Sequence, residues 1–351
     1  MADKKNYPPV YVTVSALDAG HLTLPEKLFV TDADPKKRAT VPSLSFLIRH
    51  STSDGSGKTT NLVFDLGLKR DLTGYPHKQQ EHIANRHPII SRPDCADSLR
   101  FGVNWKSESN GETLLDPAKD VDIVIISHVH WDHVGTPSDF HNAIFVVGSG
   151  TLDLLKNGAG PLYPAEIFND DELPASRTVE LPAVSYTTKE EGYDGAPHAP
   201  KHTEATPEAR ATPLNSSQTD SWSWEPLASF PHVLDFFGDG SVYVVDSPGH
   251  LYGHVNLLLR VAERRYIFLG GDCCHDPRIL SGEKGIALYD DGKGGLRSVH
   301  THTGVAKNTL ESINDFVKAK REEEYIECEI IVAHDGTWRE KNRHRFWPRN
   351  L

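Results

Sequence analysis

The sequence predicts a mixed α/β fold, on three observations. Short apolar, β-branched runs recur along the chain, polar stretches separate them, and one amphipathic helical pattern lies near the C-terminus. Taken in order, residues 10–51 hold strand candidates, including the run from Val41 to Arg49, and 60–68 hold another. Residues 69–120 are polar with histidine and proline, and read as a loop-and-helix insertion. Ile123 to Ile126 is a continuous apolar run of the kind that forms a buried strand. A short strand is expected over Ala143 to Val147, and a helix from about Thr151. From about 157 to 232 proline, glycine, serine and threonine dominate without periodicity, which predicts a cap-like insertion. Trp222 and Trp224 are candidate walls of an apolar pocket there, with anchoring of the cap as the alternative. Gly304 to Arg321 carries Val305, Leu310, Ile313, Phe316 and Val317 at mostly three- and four-residue intervals, an amphipathic helix. Lys318, Lys320 and Arg321 complement its C-terminal dipole. The basic tail from Arg339 to Arg349, with Trp347, reads as a solvated or packed extension.

The chemistry is concentrated at residues 127–135, Ser-His-Val-His-Trp-Asp-His-Val-Gly. Three imidazoles and a carboxylate within six positions are hard to explain as packing, because each must be hydrated, hydrogen-bonded or metal-bound. In extended backbone His128, His130 and Asp132 share one side while His133 points elsewhere. One ion would not use all four comfortably, so His128 and His130 suit one metal, Asp132 and His133 a second. The same grammar, an apolar run that ends in a metal-type residue, recurs at Asp65, at His250 after Ser247-Pro-Gly, at Asp272 after Gly270-Gly, and at His334.

These motifs resemble the metallo-β-lactamase-fold hydrolases: HxHxDH, a later PGHxxGH, an Asp after Gly-Gly, and a final His before Asp. The likeness spans roughly residues 40–336. It implies an αββα sandwich of two mixed sheets flanked by helices, a single domain over 1–351 carrying the two insertions. It implies that His128, His130 and His250 bind a first zinc ion, that Asp132, His133 and His334 bind a second, and that Asp272 bridges them. Asp65 would orient a ligand imidazole from behind. His254 is expected to be a structural hydrogen-bonding histidine. Iron or manganese would also suit such donors.

Within that superfamily the motifs look most like the quorum-quenching N-acyl homoserine lactonase branch. One position departs: a tyrosine three residues after the bridging Asp is here His275. The run Gly270 to Arg278 also resembles fungal members that open benzoxazolinone-type lactams. The resemblance therefore implies opening of a small lactone or lactam by a dizinc-held hydroxide, with Asp132 shuttling a proton and His275 serving as acid toward the leaving group. A glyoxalase II-like thioesterase and a mononuclear-iron persulfide dioxygenase-like oxidoreductase are the alternatives. His300 and His302 form a second HxH without strand context, and are expected at the site rim or the surface.

Composition bounds the partners. Lys plus Arg number 37 against 49 Asp plus Glu, a net charge of −12, which argues against nucleic acid. No stretch approaches the roughly 20 apolar residues that span a bilayer, and no apolar leader is visible, so a cytoplasmic protein, monomer or homodimer, is expected. Cys95, Cys273, Cys274 and Cys328 follow no zinc-knuckle spacing and read as reduced thiols, with Cys273 and Cys274 shaping the floor of the site.

Overall fold

The computed structural model describes residues 9–52, 57–104, 114–186, 198–203, 214, 219 and 221–351. Two six-stranded sheets form its centre. The first holds, in spatial order, β1 (Thr13–Pro25), β2 (Arg38–Ser51), β3 (Thr59–Phe64), β4 (Ile123–Ile126), β5 (Ile144–Val147) and β6 (Thr178–Glu180). Its first three strands are antiparallel and the remainder parallel. The second holds β7 (Glu225–Leu227), β8 (Phe230–Asp235), β9 (Val242–Asp246), β10 (Val255–Ala262) and β11 (Arg265–Leu269) as an antiparallel series, closed by β12 (Glu327–Ile331) parallel to β11.

Side-chain alternation explains how the sheets stack. Ile123 and Ile125 belong to a core shared with Leu257 and Leu269 of the second sheet. Val124 and Ile126, one position out of phase, pack outward against Leu99 of helix α1 (Cys95–Phe101) and Leu154 of helix α2 (Thr151–Asn157). On the far side Leu258 and Phe268 meet Leu310, Ile313 and Phe316 of helix α3 (Thr303–Glu323). Each fully buried side chain of this kind contributes about 1.5–3 kcal/mol. The layers are helix, sheet, sheet, helix, and α3 coincides with the amphipathic pattern in the sequence.

Two of the stretches between strands have a clear place in the fold. Residues 69–120 are the crossover that joins β3 to its parallel neighbour β4, a connection that must be long because parallel strands cannot share a tight turn. Within it lie α1 and a preceding helix, His77–Ala84. Within 157–232, β6 is the outer strand of the first sheet, β7 and β8 open the second, and residues from 161–172 line the cavity described below. Trp222 and Trp224 anchor this stretch, for Trp222 is buried against Phe236 and donates to its carbonyl, while Trp224 donates to the Pro182 carbonyl. Most of 187–220 lies outside the described residues. The basic tail is packed, with Arg339 paired to Asp18, Arg345 to Glu329, and Trp347 donating to the Leu99 carbonyl. Among the described residues no helix is long and apolar enough to cross a membrane.

Candidate metal centre

Five strands deliver the site at one end of the sandwich. Asp65 follows β3, His128 to His133 follow β4, His250 follows β9, Asp272 follows β11 and His334 follows β12. Apolar strands end there because the chain must leave the core, and the turns beyond them carry the polar groups. Gly249 makes one turn feasible: its φ is +120°, and a Cβ on it would stand 2.3 Å from the backbone nitrogen of Ala306 in α3.

Four overlapping groups of candidate donors result, two holding the expected ligands and two bringing in His275. In the first, His128 Nε2 lies 2.9 Å from His130 Nδ1 and 3.2 Å from His250 Nε2, and the last two are 3.0 Å apart. Asp272 Oδ2 stands 3.3 Å from His250 Nε2 and 3.7 Å from His128 Nε2. In the second, Asp272 Oδ1 lies 3.2 Å from both His133 Nε2 and His334 Nε2, and Asp132 Oδ2 lies 3.6 Å from His334 Nε2. The two oxygens of Asp272 thus serve different groups.

The donors fit divalent metal. Tetrahedral nitrogens about 2.0–2.1 Å from an ion are about 3.3 Å apart, close to the triangle found. His133 Nε2 and Asp272 Oδ1 are fully buried and, among the described residues, have no aligned hydrogen-bond partner. They attract each other across 3.2 Å but point past one another. Buried polar atoms left this way are costly unless something else satisfies them.

The surrounding hydrogen bonds fix which nitrogen faces inward. Asp65 Oδ1 accepts from the Ser127 backbone, and its Oδ2 accepts from Ser127 Oγ and His133 Nδ1, each at 2.7–2.8 Å. Ser127 Oγ, its proton committed to Asp65, is left to accept from His128 Nδ1 at 3.0 Å. One carboxylate therefore orients two imidazoles. His334 Nδ1 donates to the Pro42 carbonyl, and His250 Nδ1 meets His300 Nδ1 at 3.2 Å. His254 uses both nitrogens, Nδ1 on the Ser247 carbonyl and Nε2 on the Asp272 backbone N–H, and so steadies Asp272. Ser43 holds the Asp132 carbonyl and Tyr75 that of Trp131. The sequence gives Ser127 no distinguishing signal, and His300 is neither rim nor surface but 2% exposed behind His250. His302 starts α3, within 3.1 Å of the Tyr252 hydroxyl.

Electrostatics follow burial. Desolvation pushes His128 and His250 well below the usual imidazole range and His130 down to about 3, so these are neutral, metal-ready donors. Burial opposes charge on His133 as well, yet Asp272 and Asp65 hold it well above the ordinary value. Burial disfavours ionised Asp272, but His275, His133 and His334 overcome it and keep the carboxyl well below its range. His275 Nε2 lies 3.0 Å from Asp272 Oδ2, and its ring contacts Phe29 at 4.7 Å. Cys273 and Cys274 are buried free thiols.

The centre opens into a cavity of about 840 Å³. Its walls come from β1, the 69–120 crossover, the segment after α2, and a short hairpin at Tyr289–Arg297.

Comparison with known proteins agrees with this layout. The family model described as the metallo-beta-lactamase superfamily matches residues 95–161, which include the HxHxDH segment. Gamma-lactamase MBL2 of Gibberella moniliformis is 30% identical over 61% of this chain and 70% of its own length. The chain belongs to the metallo-β-lactamase superfamily. The Penicillium brevicompactum protein named cytochrome P450 monooxygenase mpaDE is 27% identical over 99% of this chain, which spans only 36% of that relative's length. An AiiA structure from B. thuringiensis with N-decanoyl-L-homoserine bound superposes with a TM-score of 0.57 at 14% identity, covering 98% of this chain and all of that one. That likeness speaks to the αββα fold.

Proposed function

We propose that this chain is a dinuclear hydrolase that opens a small cyclic ester or amide. His128, His130 and His250 would hold one ion and Asp132, His133 and His334 the other, with Asp272 between them. Imidazole and carboxylate in these proportions favour zinc. The supporting observation is the division of Asp272, each oxygen turned to a separate group of neighbouring donors. Two bound zinc ions would supply a water ionised at neutral pH and polarise the acyl carbonyl.

The chain's own residues do the rest. Asp132, beside His334, takes the proton given up by the attacking water. Water oxygen bonds to the carbonyl carbon, the ring C–O or C–N bond breaks, and a proton goes to the departing oxygen or nitrogen. His275, which lines the cavity next to Asp272, is placed to donate that proton. A lactam needs it more than a lactone does, because an amide nitrogen is the poorer leaving group. The names of the gamma-lactamase and homoserine lactonase relatives support a cyclic acyl substrate. The acidic chain argues for a small molecule rather than nucleic acid.

The test is metal analysis followed by chromatographic assay of lactones, lactams and thioesters. About two zinc ions per chain and zinc-dependent ring opening are expected. Ring opening that survives chelation, or one iron per chain with oxygen consumption, would refute the proposal.

A further inference from the structure

The cavity wall has a charge pattern that ring opening alone does not require. The helix His77–Ala84 presents Lys78 to the cavity, and Arg86 follows just beyond the helix end. Arg38 and Arg297 line the same mouth, Arg297 lying over the Tyr289 ring at 5.1 Å. The two carboxylates of the wall outside the metal centre are already engaged, Glu172 with Lys69 at 2.5 Å and Glu81 with His77 at 3.5 Å. Arg38 spends its guanidinium on the Asn85 and His87 carbonyls. The half-buried Arg86 side chain has no ion pair or hydrogen bond among the described residues. A positive mouth on a chain of net charge −12 calls for a reason. Deeper in, Leu22, Phe29, Trp131, Tyr163 and Phe168 make the wall apolar and aromatic.

We propose that the substrate is an apolar ring system bearing a carboxylate, the ring against Phe29 and Tyr163 and the carboxylate paired with Arg86. An unpartnered guanidinium with five fixed donors matches a carboxylate in bidentate geometry, and a half-buried pair is screened less than a surface one. Lys78 and Arg297 raise the local anion concentration without a fixed contact. The ring-opening part of the test rests on the hydrolase reading above; the binding part does not.

The zinc-loaded chain is assayed with a dihydrocoumarin bearing a carboxylate on its aromatic ring and with the corresponding primary carboxamide, close in shape but uncharged. The expected kcat/KM ratio favours the carboxylate by about tenfold, equivalent to about 1.4 kcal/mol. Added salt shrinks the ratio. Arg86→Met brings it close to one through KM, and Arg86→Lys restores part of it. A wild-type ratio of one or less, or a ratio untouched by Arg86→Met, overturns the proposal. If neither lactone opens, the hydrolase reading is at fault, and titration calorimetry with the same two compounds decides this one. Preferential carboxylate binding that Arg86→Met abolishes sustains it; equal binding or none refutes it.

Discussion

Replacing Asp65 with Asn removes one negative charge and one acceptor from a buried junction without changing its shape. The backbone tolerates it, since Asp65 has φ +59° and asparagine adopts that region readily. The carboxylate accepts three hydrogen bonds, two from Ser127 and one from His133 Nδ1. An amide has only one accepting end. If its nitrogen faces His133, two donors oppose each other and the imidazole must move its proton to Nε2, the atom proposed to bind metal. Loss of such an orienting partner typically lowers metal affinity 10- to 100-fold, about 1.4–2.7 kcal/mol. If its nitrogen faces the Ser127 N–H instead, a buried donor is left unsatisfied and folding stability falls by about 1–3 kcal/mol. Chelator competition with zinc reads the first quantity and urea unfolding of the metal-free protein reads the second. Asp65→Asn with both unchanged would refute the reasoning that Asp65 sets the protonation of His133.

Three further outcomes are expected. His300→Ala removes the partner of His250 Nδ1 and should weaken zinc binding about tenfold in chelator competition while leaving the far-ultraviolet spectrum unchanged. Gly249→Ala adds strain at a positive φ and a clash with Ala306, so thermal unfolding should report a loss of about 2–4 kcal/mol. The metal-free protein should be acid-labile: burial holds His254 down to about 4, and His130 and His300 down to about 3. The unfolded chain takes up those protons first, so stability present above pH about 6.5 is lost as pH falls toward 4, about 3 kcal/mol from His254 alone. His133 and His334, whose values are raised, act in the opposite sense, and urea midpoints measured across this range give the balance.

The strands that end in metal-type residues were legible because two signals coincide there, an apolar run for the buried strand and a polar cluster for its exit. His128, His130, Asp132, His133, His250, Asp272 and His334 converge in the fold as that grammar implies. Three things were not legible. β6 has three residues, too few for any period, so the sheet edge inside the 157–232 stretch leaves no trace in the sequence. The crossover hides its purpose because its helices are short and the one that faces the cavity, His77–Ala84, is polar there. His300 sits in a run of threonines with no apolar context, and only the tertiary approach of α3 to the Pro248-Gly249-His250 turn buries it.

The centre draws its donors from both sheets. His128 to His133 leave the first, while His250, Asp272 and His334 leave the second, with more than a hundred residues of chain between His133 and His250. Ions seated there would rivet the two halves of the sandwich together, in the way a covalent cross-link closes a long loop, an effect worth about 4–5 kcal/mol in the chain-entropy account. Stripping them should then loosen the seam between the sheets well before either sheet comes apart, with β9 and β11 exchanging amide hydrogens sooner than the helices outside.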